Sequence, residues 1–138
     1  MQRLMLIAPF ALASLFLGGC GPEKPKMVNF SGKVIHQGKG VTAGSIHFFP
    51  ESSNSYQKDN PSSILQLDGS FTAKTFPFGD GIPPGTYKVT LAPAVASRLN
   101  APSYADPAKT PWTVEVPDAG LKDKVLEVKA TEAEPESP

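Results

Sequence analysis

Few residues in this chain of 138 have side chains suited to chemistry. The only cysteine is Cys20, and the only histidines are His36 and His47. One cysteine forms no internal disulfide, so the domain must stand on its hydrophobic core. The two histidines sit on successive apolar stretches, which raises the question of a shared metal ion. Parity argues against it. His36 alternates in step with Phe30 and Val34, whereas His47 alternates out of step with Ile46 and Phe48. Successive side chains of a strand point to opposite faces, so the rings are expected to point apart. Asp80-Gly81 is a fragment of a calcium loop without the repeated Asp/Asn spacing. No GxSxG, HExxH or phosphate-cradling glycine loop occurs. The carboxylates read as solvated turn residues, not as acid–base pairs. The expectation is a non-enzyme with no catalytic residue, no metal and no cofactor. Among the aromatics, Tyr56 and Tyr104 fall in loops, where they could stack on sugars. Tyr104 could equally anchor its own loop, and Trp112 shares parity with core positions and is expected to pack inward.

Cys20 is the residue whose context says most. Met1-Gln2-Arg3 is a short positive start, and Leu4 to Leu17 is an apolar run of fourteen residues. Crossing a bilayer core of roughly 30 Å takes about 20 residues. The run fits the h-region of a secretory signal better than a transmembrane anchor, and Pro22 and Pro25 follow at once. Leu17-Gly18-Gly19-Cys20 resembles the bacterial lipobox: an aliphatic residue, two small residues, then the modified cysteine. The resemblance implies cleavage after residue 19, a diacylglyceryl group on the Cys20 sulfur and palmitate-type acylation of its new amine. Several acyl chains anchor stably where one binds only marginally. Gly21 stands where an Asp would favour inner-membrane retention, which favours the outer membrane. Membrane lipid, held through acylated Cys20, is thus the first expected partner.

The elements that follow must present whatever the anchor holds. Residues 20–26 read as a polar, Pro-containing tether; the six from Gly21 to Lys26 reach at most about 20 Å. Lys and Arg number 13, as do Asp and Glu, so no global basic bias points to nucleic acid. The 15 Pro and 12 Gly are spread between short apolar runs, a pattern of strands joined by turns. Alternation predicts strands over 27–37 (with a bend or bulge at Gly32), 44–50, 62–67, 70–76, 86–92, 111–117 and 123–130. The first two read as a hairpin, and Asp68-Gly69 as the tight turn of another. Residues 93–110 form a long connection with room for a helical turn or two near 94–99, and connections of that length are often functional. The fold class expected is all-β, a seven-stranded antiparallel β-sandwich over 27–130, with an acidic, disordered tail at 131–138.

Four segments carry a second resemblance: Phe30-Ser31-Gly32-Lys33-Val34, Gly44 to Pro50, Leu67-Asp68-Gly69-Ser70-Phe71 and Pro84 to Val89. Their order and spacing are similar to the carboxypeptidase regulatory-like domain, over roughly residues 28 to 92. The resemblance implies a transthyretin-like (Ig-like) sandwich that is usually an accessory, binding or structural module. Enzymes on related folds hold iron with two tyrosines and two closely spaced histidines; here the histidines are eleven apart.

If successive strands alternate in direction, the N-terminus, 51–61, 77–85 and 118–122 share one end of the sandwich. The 93–110 connection then projects from the other, away from the lipid, and Arg98 and Tyr104 become the candidate contact residues. The functional expectation is a lipid-anchored cell-envelope protein with a non-catalytic binding or structural module, its partner an unknown envelope protein or glycan. The alternatives are a carbohydrate-binding lipoprotein using loop aromatics and, third, an unrecognised hydrolase or metal enzyme.

Overall fold

The computed structural model describes residues 23–129. The lipobox, Cys20, the signal segment and the 131–138 tail lie outside those residues, as does Ala130 at the end of the expected last strand. Alternating burial produces the strands. In Gly85–Leu91 the side chains of Tyr87, Val89 and Leu91 are buried, and in Thr113–Val116 those of Val114 and Val116 are. Ten strands form among the described residues: β1 (Phe30–His36), β2 (Lys39–Gly40), β3 (Ser45–Pro50), β4 (Ser62–Ile64), β5 (Ser70–Thr72), β6 (Lys74–Thr75), β7 (Gly79–Asp80), β8 (Gly85–Leu91), β9 (Thr113–Val116) and β10 (Leu121–Val128). A short helix, α1 (Pro93–Arg98), and a 3₁₀ turn (Pro102–Ala105) occupy the long connection.

The strands make two sheets. In the first, β1 is flanked by β10 on one side and by β2 and β5 on the other. The second runs β7-β6-β4-β3-β8-β9. The sheets meet through an aromatic cluster. Phe30 of β1 lies 5.1 Å from Phe48 of β3 and 5.4 Å from Phe71 of β5, ring centre to ring centre. All three rings are buried, with Val34, Ile46, Val89 and Leu126 around them. The all-β sandwich is therefore the observed fold.

The pairing corrects the expected seven-stranded antiparallel arrangement in three ways. First, β1 and β3 are not a hairpin. The turn at Gln37-Gly38 pairs only Ile35 and His36 with Gly40 and Lys39, after which the chain crosses to the other sheet. Phe30 and Val34 of β1 and Ile46 and Phe48 of β3 are fully buried, and facing each other across the core satisfies both strands. Second, the Asp68-Gly69 turn forms, with Gly69 at φ +85° and the Asp68 carboxylate accepting from Ser70 N–H and Oγ. Its strands then part, β4 to β3 and β5 to β1. Third, β1 and β10 run parallel. The seven expected segments do pair as alternation requires, β1 antiparallel to β5 and β3 antiparallel to β4 and β8, so the first and last of them, β1 and β10, point the same way, and closing the first sheet brings them side by side. The expected bulge at Gly32 is real but lies in the partner strand. The register skips between Phe30↔Leu121 and Gly32↔Lys124, with Asp123 at φ +57°. A Cβ on Gly32 would fall 2.1 Å from the Lys124 carbonyl oxygen, so only glycine admits the bulged strand.

Alternation also sets the two ends. At the end where residues 23–29 enter, the proximal end, Val28 pairs with Ile82, Lys26 reaches Asp118 at 3.7 Å, and the Leu121 N–H donates to the Asn29 carbonyl. The 51–55 segment is fixed there by Asn54, which donates from Nδ2 to the Thr86 carbonyl and accepts from the Thr86 N–H, both at 2.8 Å. At the distal end, the Val34 N–H donates to the Gly69 carbonyl and Arg98 reaches across to the 42–43 backbone.

Candidate functional site at the distal end

The structure separates the two expected contact residues. Tyr104 is a correction: it is only 4% exposed. The 3₁₀ turn carries its ring inward against Trp112, 4.7 Å between ring centres at 72°, an edge-to-face contact. Its hydroxyl accepts a 2.9 Å hydrogen bond from the Lys129 N–H, and Trp112 Nε1 donates to the Glu127 carbonyl. The pair ties the long connection to β10, so Tyr104 anchors its own loop, and Trp112 packs as expected.

Arg98 does stand at the surface. Pro93 fits the first turn of α1, where its missing N–H costs nothing, and Val95 and Ala96 bury the inner face of the helix. That leaves Arg98 outward on the last turn. Its guanidinium donates to the carbonyls of Thr42 and Ala43, at 2.5 and 3.4 Å. These bonds hold it at the rim of a groove of about 390 Å³ between the 36–43 segment and the end of α1. Val41 and Leu99 contribute apolar surface and Lys39 a second cation, and among the described residues no carboxylate lines the groove. Ala43 sits at φ +59°, a conformation that a residue with a Cβ adopts at a cost. Two nitrogens of Arg98 are committed to the backbone, which fixes its plane while leaving further N–H donors for a ligand.

The remaining candidates are dispersed. His36 donates from Nδ1 to the Val128 carbonyl at 3.1 Å in the first sheet, while His47 belongs to the second. Among the described residues no three His, Cys, Asp or Glu side chains gather as a metal site. Asp80 pairs with Lys74 at 3.6 Å. Tyr56 donates to Asp59, and that bond raises its pKa above the ordinary phenol value. His47 Nε2 and Ser45 Oγ are 2.9 Å apart, a nucleophile–base spacing. Among the described residues no carboxylate hydrogen-bonds the other ring nitrogen, and burial lowers the pKa of His47. A second groove, of about 490 Å³, opens where β4 and β5 part; Ser31, Ser63, Ser70 and Thr72 line it with Asp80 and Asp123. Sequence reasoning missed two residues. Asn54 lies in a polar stretch yet is nearly buried, because its amide pairs with backbone as another peptide would. Phe76 falls in an expected strand yet is 88% exposed at a turn. Its signal was the Phe76-Pro77-Phe78-Gly79 run, in which proline and glycine punctuate two aromatics.

These features define an all-β sandwich with a cationic, partly apolar groove at the end opposite its N-terminal segment. No protein-family model matches the chain, and no curated protein matches it. Among solved structures the chain is similar to a DUF3823 family protein from Parabacteroides merdae, with 18% identity and a TM-score of 0.47. The alignment covers 78% of this chain and 48% of that one, so the chain spans about half the length of that protein. The fold assignment rests on the strand pairings themselves.

Proposed function

We propose that the protein is a cell-envelope lipoprotein, anchored in the outer membrane through acylated Cys20, whose sandwich is a non-catalytic binding module of the carboxypeptidase regulatory-like, transthyretin-like kind. The observation that carries this reading is the placement of the two ends. Residues 23–29 join the sandwich at the proximal end, and the Arg98 groove opens at the distal end. An anchor at residue 20 therefore presents the groove away from lipid. The two cations, Arg98 and Lys39, with no carboxylate beside them among the described residues, suit a partner rich in hydrogen-bond acceptors, such as an acidic envelope protein or a charged glycan.

The test pairs two variants in envelope fractionation and pull-down. Cys20→Ala is expected to release the protein from membranes with its β-fold intact; retention after a high-salt wash would overturn the anchor. Arg98→Glu is expected to leave the protein membrane-bound while weakening partner capture at least about tenfold, the range for removing a charge-assisted hydrogen bond and reversing the charge. Unchanged capture would remove the groove from the function. The carbohydrate-binding reading loses Tyr104 to the core but keeps Tyr56 in its loop, and gains the hydroxyl-lined groove between β4 and β5. It predicts that Ser63→Val and Thr72→Val together abolish glycan binding.

A further inference from the structure

We infer that the Phe76-Pro77-Phe78 turn is a second membrane contact, which dips into the bilayer interface and fixes the orientation of the tethered sandwich; this rests on the anchoring reading above. The turn joins β6 to β7 at the free edge of the second sheet. Its base is fixed. Thr75 is fully buried and its hydroxyl donates to the Gly81 carbonyl at 2.9 Å, while the Phe78 N–H donates to the Thr75 carbonyl at 2.7 Å. Two residues beyond β7, Ile82 is fully buried and pairs through its backbone with Val28, and Gly81 lies against Met27. The hairpin is thereby stapled to the segment that arrives from Cys20. β6 runs antiparallel to β4, and β4 antiparallel to β3, so β6 follows the direction of β3, toward the proximal end. Six residues lie between Cys20 and Met27, so the reach from one to the other is at most about 25 Å.

A turn with a fixed base that leaves Phe76 88% exposed serves no packing purpose in the sandwich. At a lipid surface the same ring is an apolar wedge. One ring binds a free protein to a membrane only weakly, but on a chain already held there by acyl groups the second contact is intramolecular. The proximal end carries both signs, with Lys26 beside Asp118 and Lys74 beside Asp80. The contact is therefore apolar, and is expected to be insensitive to salt and to lipid charge. Leu67, 93% exposed at the Asp68-Gly69 turn, is the distal counterpart.

The experiment uses the full acylated chain in phosphatidylcholine vesicles. Acylation blocks the Cys20 sulfur, so Phe76→Cys and Leu67→Cys each offer one thiol for a nitroxide label. Flotation is read first, then collision of the label with oxygen and with a water-soluble nickel chelate. The expected result is flotation of both variants, with nickel collisions several-fold lower and oxygen collisions higher at 76 than at 67. Equal nickel access at the two positions in floating protein would overturn the contact and leave the anchor standing. Shielding of position 76 from both reagents would mean a protein contact and would also overturn it. Failure to float would overturn the anchor, and the contact with it.

Discussion

Replacing Tyr104 distinguishes a core anchor from a binding residue. The ring is nearly buried, meets Trp112 edge-to-face and caps the Lys129 N–H. Tyr104→Ala removes a buried aromatic, which costs about 3–5 kcal/mol through reduced burial and the cavity left behind. An edge-to-face pair accounts for about 0.5–1.5 kcal/mol of such a loss. Tyr104→Phe keeps the ring and loses one hydrogen bond, about 0.5–1.5 kcal/mol. Lys129 is exposed, so water can replace the hydroxyl and the cost falls at the lower end of that range. At roughly 4 °C per kcal/mol for a domain near 100 residues, Tyr104→Ala lowers Tm by at least about 12 °C and Tyr104→Phe by about 2 °C. The sole tryptophan is the neighbour of the mutated ring, so Trp112 emission in a denaturant titration reports both stability and local exposure. A Tyr104→Ala protein within about 0.5 kcal/mol of wild type, with Trp112 emission unshifted, would refute the anchoring role.

Asn54→Ala removes both hydrogen bonds to Thr86 and is expected to cost about 2 kcal/mol by chemical denaturation, with the proximal end losing amide-exchange protection first. Stability should also fall on mild acidification. Burial lowers the folded-state pKa of His47 below the ordinary imidazole value of 6.5. The unfolded chain then binds more protons than the folded one. The contribution of His47 is fully present above pH 6.5 and is lost as pH falls through the lower folded value. Melting curves between about pH 7.5 and 5 should show a shallower acid decline for His47→Gln than for wild type; identical slopes would remove His47 as the source.

Strand identity was legible in the sequence because half-burial writes a period of two, as in Tyr87, Val89 and Leu91. Parity says which face is inward and nothing about which strand lies alongside. β1 and β3 have the same inward pattern whether they are neighbours in one sheet or face each other across the core. The β1–β10 partnership joins His36 to Val128, and no turn signal marks a pairing so distant. Strand direction was legible all the same, because alternation depends on chain reversals and not on partners. The candidate site was legible in part. Arg98 follows from a helix whose inner face is Val95 and Ala96. The burial of Tyr104 had no periodic signature, because a 3₁₀ turn in an aperiodic connection decides it.

The parallel pairing of β1 with β10 has a mechanical consequence. The chain enters β1 at the proximal end and leaves β10 at the distal end, where Lys129 meets Tyr104. Tension applied between residues 23 and 129 would slide the two strands past each other along their length. The register from Phe30↔Leu121 to His36↔Val128 is then loaded in shear, with its inter-strand bonds stretched together. A pair pulled from the same end peels apart one bond at a time and yields at lower force. Held by its first strand, this sandwich resists a pull on its far end through the longest strand partnership in its first sheet.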